Sequence, residues 1–559
     1  MTSTRRGVVA RLVSAAAALA VAVTTMVAVS GTTAVAAAAN GTGTGYLSTK
    51  GSQIVDSTGA TVTLTGINWF GMETDNKTFH GLWASVTWKS QMDHMAQLGY
   101  NTLRVPFAGD ALKTGAVATS VNSYTNPDLV GLSPLQILDK VVDYAGELGM
   151  RVILDRHRPT AAGQTALWYT PTVSEASEIA DWKLLAARYA GNPTVVGADL
   201  FNEPHAEGTE PNSTGSCWGC GDTARDWRLA AERIGNAVLA ANPNWLIIVE
   251  GVSCLSGGVA NEWDNIPDDP ANCSWWGGNL ANAGTQPVRL SANNKLVYSA
   301  HDYGISVYDH QEWFDTTKHP DFPANLPATW DHYWGYLVKQ NIAPVLVGEF
   351  GSTLADPRDT KWLTTLVGYM KTNGMSFTYW SWNPDSGDTG GIVKDDWVTV
   401  QTAKQSILQS ALIPPVRRGS TPTPTPTTPT TPTPTPTTPT PTPTTPTPTP
   451  TPTQNPGACT STVQLTNTWA GGFQAAISAK NGSSSTLNPW TITFTVPSGV
   501  TVGSGWNGTF TQSGTTVTVT APTWSPSLAA GAVASIGLVA NGPSSPAPSN
   551  IKLNGVACS

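Results

Sequence analysis

Past residue 39 the chain contains no apolar run long enough to cross a bilayer, which excludes a membrane-spanning helix there. Cationic side chains are scarce: the formal net charge is −8, and removal of Arg5, Arg6 and Arg11 with an N-terminal leader that holds no acid takes it to −11. A chain this acidic excludes nucleic acid as the expected partner and disfavours an anionic polymer such as pectin. Metal-ligand clusters are missing too. Cys217-Trp-Gly-Cys220 has no second CxxC and no nearby His pair, so it reads as a structural bridge rather than half a zinc site, and neither metal nor cofactor is expected.

What is present divides the chain. Residues 1–39 run from the arginines through a Val/Ala/Leu stretch to the small-residue run Ala34 to Ala39, the grammar of a signal peptide and hence of secretion. The Arg5-Arg6 pair leaves twin-arginine export open beside the general route. Six cysteines bound for an oxidising compartment predict three disulfides. Local spacing suggests Cys217 with Cys220, Cys254 with Cys273 and Cys459 with Cys558, although other connectivities remain open. Residues 416–456, which from Gly419 to Pro456 collapse to Thr and Pro, cannot bury a core and read as an extended spacer with scope for O-glycosylation. A folded body is therefore expected on either side of it, at 40–415 and 457–559, in a chain expected to be monomeric.

The first body alternates apolar runs with amphipathic helical stretches such as Pro134 to Leu148 and Ser174 to Tyr189. Candidate strands are Val62 to Trp69, Asn101 to Val105, Arg151 to Asp155, Val195 to Phe201, Trp245 to Glu250, Leu296 to His301, Pro344 to Glu349 and Ser376 to Trp382. This predicts an α/β fold, a (β/α)8 TIM barrel with enlarged loops, especially between Glu250 and Leu296. A doubly wound sheet would want a Gly-rich phosphate turn after its first strand, and none is there. The second body, rich in Thr, Val and Ser with period-two alternation in Trp490 to Val496 and Thr515 to Thr520, predicts an all-β sandwich. Apart from its cysteines, Lys480 and Lys552 are its only ionisable side chains, which suits an uncharged, hydroxyl-rich partner.

Barrel chemistry sits at the C-terminal ends of the strands. The fourth run closes on Asn202-Glu203-Pro204 and the seventh on Gly348-Glu349-Phe350, carboxylates whose burial is costly unless they have a partner or a task. Facing each other across a sugar-sized gap, about 5 Å apart, they would suit a retaining glycosidase. Glu250 also closes an apolar run, but it lacks the flanking match and reads as structural.

The ordered set Gly66-Ile67-Asn68-Trp69-Phe70-Gly71, Asn101-Thr102-Leu103-Arg104-Val105-Pro106, Leu154-Asp155-Arg156-His157, Asn202-Glu203-Pro204, His301-Asp302-Tyr303, Gly348-Glu349-Phe350 and Trp380-Ser381-Trp382-Asn383 resembles glycoside hydrolase family 5, in particular its actinobacterial endoglucanases. The resemblance implies an endo-β-1,4-glucanase with Glu203 as acid/base and Glu349 as nucleophile. It also implies that Arg104 and Tyr303 bond to Glu349, that Asn202 holds the sugar 2-hydroxyl, that His157 and His301 line the cleaved subsite, and that Trp380 forms its floor. Trp69, Trp83, Trp276 and Trp382 stay open between core packing and sugar stacking. The second body resembles the family 2 carbohydrate-binding modules. That implies cellulose as partner, Trp469, Trp506 and Trp524 as exposed stacking residues, and Trp490 as interior. A β-mannanase or xylanase on the same barrel, or a non-catalytic cellulose-binding adhesin, are the competing readings.

Overall fold

A computed structural model describes residues 41–259, 273–417, 459–469, 471–506, 508–522 and 526–559, without the side chains of residues 466, 467, 469, 504 and 506. The expected signal peptide and nearly all of the expected spacer lie outside the described residues. The chain divides into two compact units, up to Thr421 and from Pro422.

In the first unit, β1 (Ser48–Lys50), β2 (Gln53–Val55) and β3 (Thr61–Val62) make a small antiparallel sheet. Eight parallel strands follow: β4 (Thr65–Asn68), β5 (Thr102–Ala108), β6 (Arg151–Arg158), β7 (Val195–Asp199), β8 (Leu246–Glu250), β9 (Leu296–Tyr303), β10 (Val345–Gly351) and β11 (Ser376–Tyr379). They close into a barrel in which β11 pairs with β4 and β10 with β9. Each of the eight expected runs holds a strand, with corrections: β7 ends at Asp199 rather than Phe201, and β11 at Tyr379 rather than Trp382. Val62 to Trp69 is not continuous, because Val62 belongs to the small sheet and β4 begins at Thr65.

That break has a packing reason. Leu47, Ile54, Val62 and Leu64 pack with Ile153, Val196, Leu246, Val297 and Leu346, residues near the starts of their barrel strands. The small sheet therefore plugs the N-terminal mouth with apolar side chains and leaves the opposite mouth for polar chemistry. Helices cover the barrel where the sequence places them. Pro134–Leu148 starts on a capping box between Ser133 and Gln136 and stops at Gly149 in the left-handed conformation, and Glu175–Arg188 is capped by Ser174. Sulfur atoms pair Cys217 with Cys220 and Cys254 with Cys273, the latter inside the long loop after β8.

The second unit is a two-sheet sandwich. One sheet has the order β12 (Cys459–Trp469), β13 (Gly472–Asn481), β18 (Val533–Asn541), β15 (Thr501–Trp506). The other has β16 (Thr509–Ser513), β17 (Thr516–Thr520), β14 (Thr491–Thr495), β19 (Ser549–Leu553), β20 (Val556–Ala557). Alternate residues Phe473, Ala475 and Ile477 meet Ile492, Phe494, Val517 and Val519 between the sheets, and Trp490 is buried with them. Trp469 and Trp506 end β12 and β15, the two edges of one sheet. Their side chains, and all of Trp524, lie outside the described residues.

Cys459 is bonded to Cys558 across a sequence separation of 99 residues, tying the first strand of one sheet to the end of the other. Closing so long a loop removes much entropy from the unfolded chain. Cys558→Ser is expected to lower the stability of the module by about 2–5 kcal/mol, read from denaturant melts.

Candidate active site

The open end of the barrel holds a cleft of about 530 Å³, a size suited to a small ligand or a few sugar units. Glu203, Glu349, His157, Tyr303 and Trp380 line it. Beneath them lies Arg104 on β5, whose side chain is fully buried. A buried guanidinium must be surrounded by acceptors, and this one is. It reaches Glu349 Oε1 at 2.5 Å, Asp199 Oδ2 at 2.8 Å, Glu250 Oε1 at 3.0 Å and Asp155 Oδ2 at 3.2 Å, and it also donates to the amide oxygens of Asn68 and Asn202. One cation faces four carboxylates. Burial, with mutual repulsion added to it, pushes Asp199 up to about 7 and raises Asp155 and Glu250 as well, against the pull of Arg104 and His301.

Glu349, on β10, escapes that fate. Burial alone would raise it, but the charges of His301, Arg104 and His157 and the Tyr303 hydroxyl, which donates to Oε2 at 2.5 Å, hold it below the ordinary carboxylate range. Glu203 goes the other way. Burial raises it, the nearby Glu349 and Glu250 add to the rise, and the bond with His301 Nδ1 at 3.0 Å only partly offsets them. An oxygen of Glu203 and an oxygen of Glu349 lie within 4.8 Å of each other, and His301 Nδ1 lies within 4.8 Å of both. This spacing belongs to a pair in which one carboxyl attacks and the other gives a proton, not to a pair with room for an intervening water.

Glu203 does not sit on a strand. β7 stops at Asp199, and Glu203 follows four residues later with a φ of 54°, a left-handed conformation that costs a residue with a side chain about 1–3 kcal/mol. Its carboxyl retains 18% exposure toward the cleft, whereas that of Glu349 retains 3%. Asn202 is fully buried, and its Nδ2 has no partner among the described residues. His157 Nδ1 meets Asp155 Oδ2 at 2.7 Å and its ring lies parallel to Trp380, with centroids 5.4 Å apart. Trp380 also stacks with Phe70 and donates from Nε1 to Ser386.

The tryptophans left open by the sequence now separate. Trp69 and Trp382 are core residues with no exposure, Trp83 is 39% exposed, and Trp276 lines the cleft stacked on His205. Asp155, Asp199 and Glu250 are site residues that sequence reasoning did not assign. The signal was there in the form of carboxylates inside apolar strands, but their common partner Arg104 is 95 residues from Asp199 and 146 from Glu250.

Residues 55–386 match the family described as Cellulase (glycosyl hydrolase family 5), and residues 459–558 match a cellulose binding domain. An endoglucanase of Paenibacillus polymyxa is 48% identical over 374 residues, 66% of this chain and 88% of that protein. The major extracellular endoglucanase of Xanthomonas campestris pv. campestris is 40% identical over 498 residues, 89% of this chain and 94% of that one. Among solved structures, a cellotetraose complex of an endocellulase from Pyrococcus horikoshii superposes with a TM-score of 0.60 at 41% identity, over 66% of this chain and 98% of that chain. With its family match covering more than half its length and a barrel that carries an acidic pair of glycosidase spacing, the chain belongs to glycosyl hydrolase family 5.

Proposed function

We propose that the chain is a secreted, retaining endo-β-1,4-glucanase that cleaves cellulose chains internally, with Glu203 as acid/base and Glu349 as nucleophile. The observation that carries this reading is the opposite displacement of two carboxyls whose oxygens lie within 4.8 Å. In the first step ionised Glu349 attacks the anomeric carbon while protonated Glu203 delivers its proton to the departing glycosidic oxygen. In the second, Glu203, now a base, takes a proton from water as that water displaces Glu349 from the sugar. The unpartnered Nδ2 of Asn202 suits a sugar 2-hydroxyl, and Trp380 gives a flat apolar face for the ring at the cleavage point.

Secretion is supported by the signal-like leader, by three disulfides and by the extracellular relative, with no helix among the described residues able to cross a membrane. We place the catalytic body at residues 40–415, a Thr/Pro spacer at 416–456 and the binding module at 457–559, where Trp469, Trp506 and Trp524 stack on cellulose. The protein works as a monomer without a cofactor.

Replacing Glu349 by Gln is expected to abolish turnover of carboxymethylcellulose. Glu203→Ala should keep the first step on activated aryl cellobiosides and recover turnover in azide, releasing a β-glycosyl azide. An α-azide, or an active Glu349→Gln, contradicts the roles.

The Tyr303 hydroxyl bonds the charged form of Glu349, so removing it favours the protonated form. Tyr303→Phe should therefore move the acidic limb of the kcat/KM profile to higher pH and leave the basic limb, set by Glu203, in place.

Truncating Trp469, Trp506 or Trp524 to Ala should each weaken adsorption to microcrystalline cellulose severalfold, a loss of about 1 kcal/mol, with the module's melting temperature unchanged. Adsorption isotherms should also be nearly independent of salt, since the module carries so little charge.

A further inference from the structure

Glu250 ends β8 with a carboxylate that the two-step mechanism does not use. The residues before it, Leu246 to Val249, are apolar, and its side chain is fully buried, where a charge must find partners. Two of its three partners, Glu203 and His301, belong to the acid/base apparatus. Oε2 accepts the backbone N–H of Glu203 at 2.7 Å, Oε1 accepts from Arg104 Nη2 at 3.0 Å, and Oε1 lies 3.3 Å from His301 Nε2. The other ring nitrogen of His301 meets the Glu203 carboxyl at 3.0 Å. Glu250 thus holds Glu203 twice, directly by its main chain and through His301 by its side chain.

The main-chain contact bears on aim. Glu203 occupies the left-handed region although it has a side chain, and the residue after it is Pro204. Without the Glu250 acceptor a buried N–H would lose its partner and the backbone could relax, turning the carboxyl away from the bond it protonates. The loop opposite leaves room for this grip. Gly277 has a φ of 69°, and a Cβ there would lie 2.4 Å from Glu250 Oε2 and 3.5 Å from Glu203 Cα.

We propose that Glu250 is the positioning residue of the acid/base, fixing the left-handed backbone of Glu203 and setting His301 against its carboxyl so that the proton arrives at the leaving oxygen. The inference rests on the assignment of Glu203 as acid/base. A glutamine at this position cannot do the same work. Its single amide oxygen can serve Glu203 N–H or Arg104, and its NH2 then faces a donor at the other.

The test compares two substrates in the full chain: cellopentaose, whose sugar leaving group needs a proton, and dinitrophenyl cellobioside, whose leaving group does not. Glu250→Gln should lower kcat on cellopentaose about tenfold to a hundredfold with KM little changed, while kcat/KM on the dinitrophenyl substrate changes by no more than a few-fold. Glu203→Ala, measured alongside, should show the same selectivity more strongly. If Glu203→Ala lacks it, the acid/base assignment falls. If Glu203→Ala shows it and folded Glu250→Gln loses both substrates in proportion, or neither, the positioning role alone is overturned. Where Glu250→Gln gives no cooperative melt, Gly277→Ala displaces the same carboxylate from outside, and the same ratio of losses decides.

Discussion

The site depends on one buried guanidinium. Arg104 has no solvent to stabilise its charge, so its surroundings must supply acceptors, and β6, β7, β8 and β10 each contribute a carboxylate to it. Removing a partner from such a cluster is expensive because the remaining charges stay buried and unpaired. The cluster thus ties four strands together at the open mouth, as apolar packing does at the closed mouth. Lysine in its place would keep the charge but lose the planar fork that serves several acceptors at once.

The opposite displacement of the two glutamates follows from that cluster. Both are buried enough for desolvation to push them upward, and the difference lies in their neighbours. Glu349 touches Arg104 and Tyr303 directly, so its charged form is the favoured one. Glu203 touches neither and shares only His301, which also stands beside Glu250 and Glu349. Two like residues within 4.8 Å are displaced in opposite directions by environment alone.

The eight barrel strands were legible because parallel strands buried on both faces read as apolar runs between turn signals. Glu203 and Glu349 were legible because a carboxylate closing such a run needs a reason. Glu250 meets the same criterion and was set aside as structural, and Asp199 and Asp155 were not assigned. Their meaning depends on Arg104, which comes beside them only when the barrel closes, and nothing in local spacing encodes that closure. The backbone of Glu203 was also out of reach, since the sequence suggests a strand end where the chain has already left β7 and turned into the left-handed region. In the C-terminal module, alternation pointed to the sandwich, and the resemblance to binding modules pointed to the interior Trp490.

Carbon-13 NMR of labelled glutamate carboxyls, assigned with Glu203→Gln and Glu349→Gln, tests the central claim most directly. In the free enzyme Glu349 should titrate below an ordinary glutamate and Glu203 above it. When Glu349 is trapped as a fluoroglycosyl ester its negative charge disappears, and the Glu203 titration should then fall. Titration of the two in the reverse order, or a Glu203 titration that trapping leaves unmoved, would contradict the account.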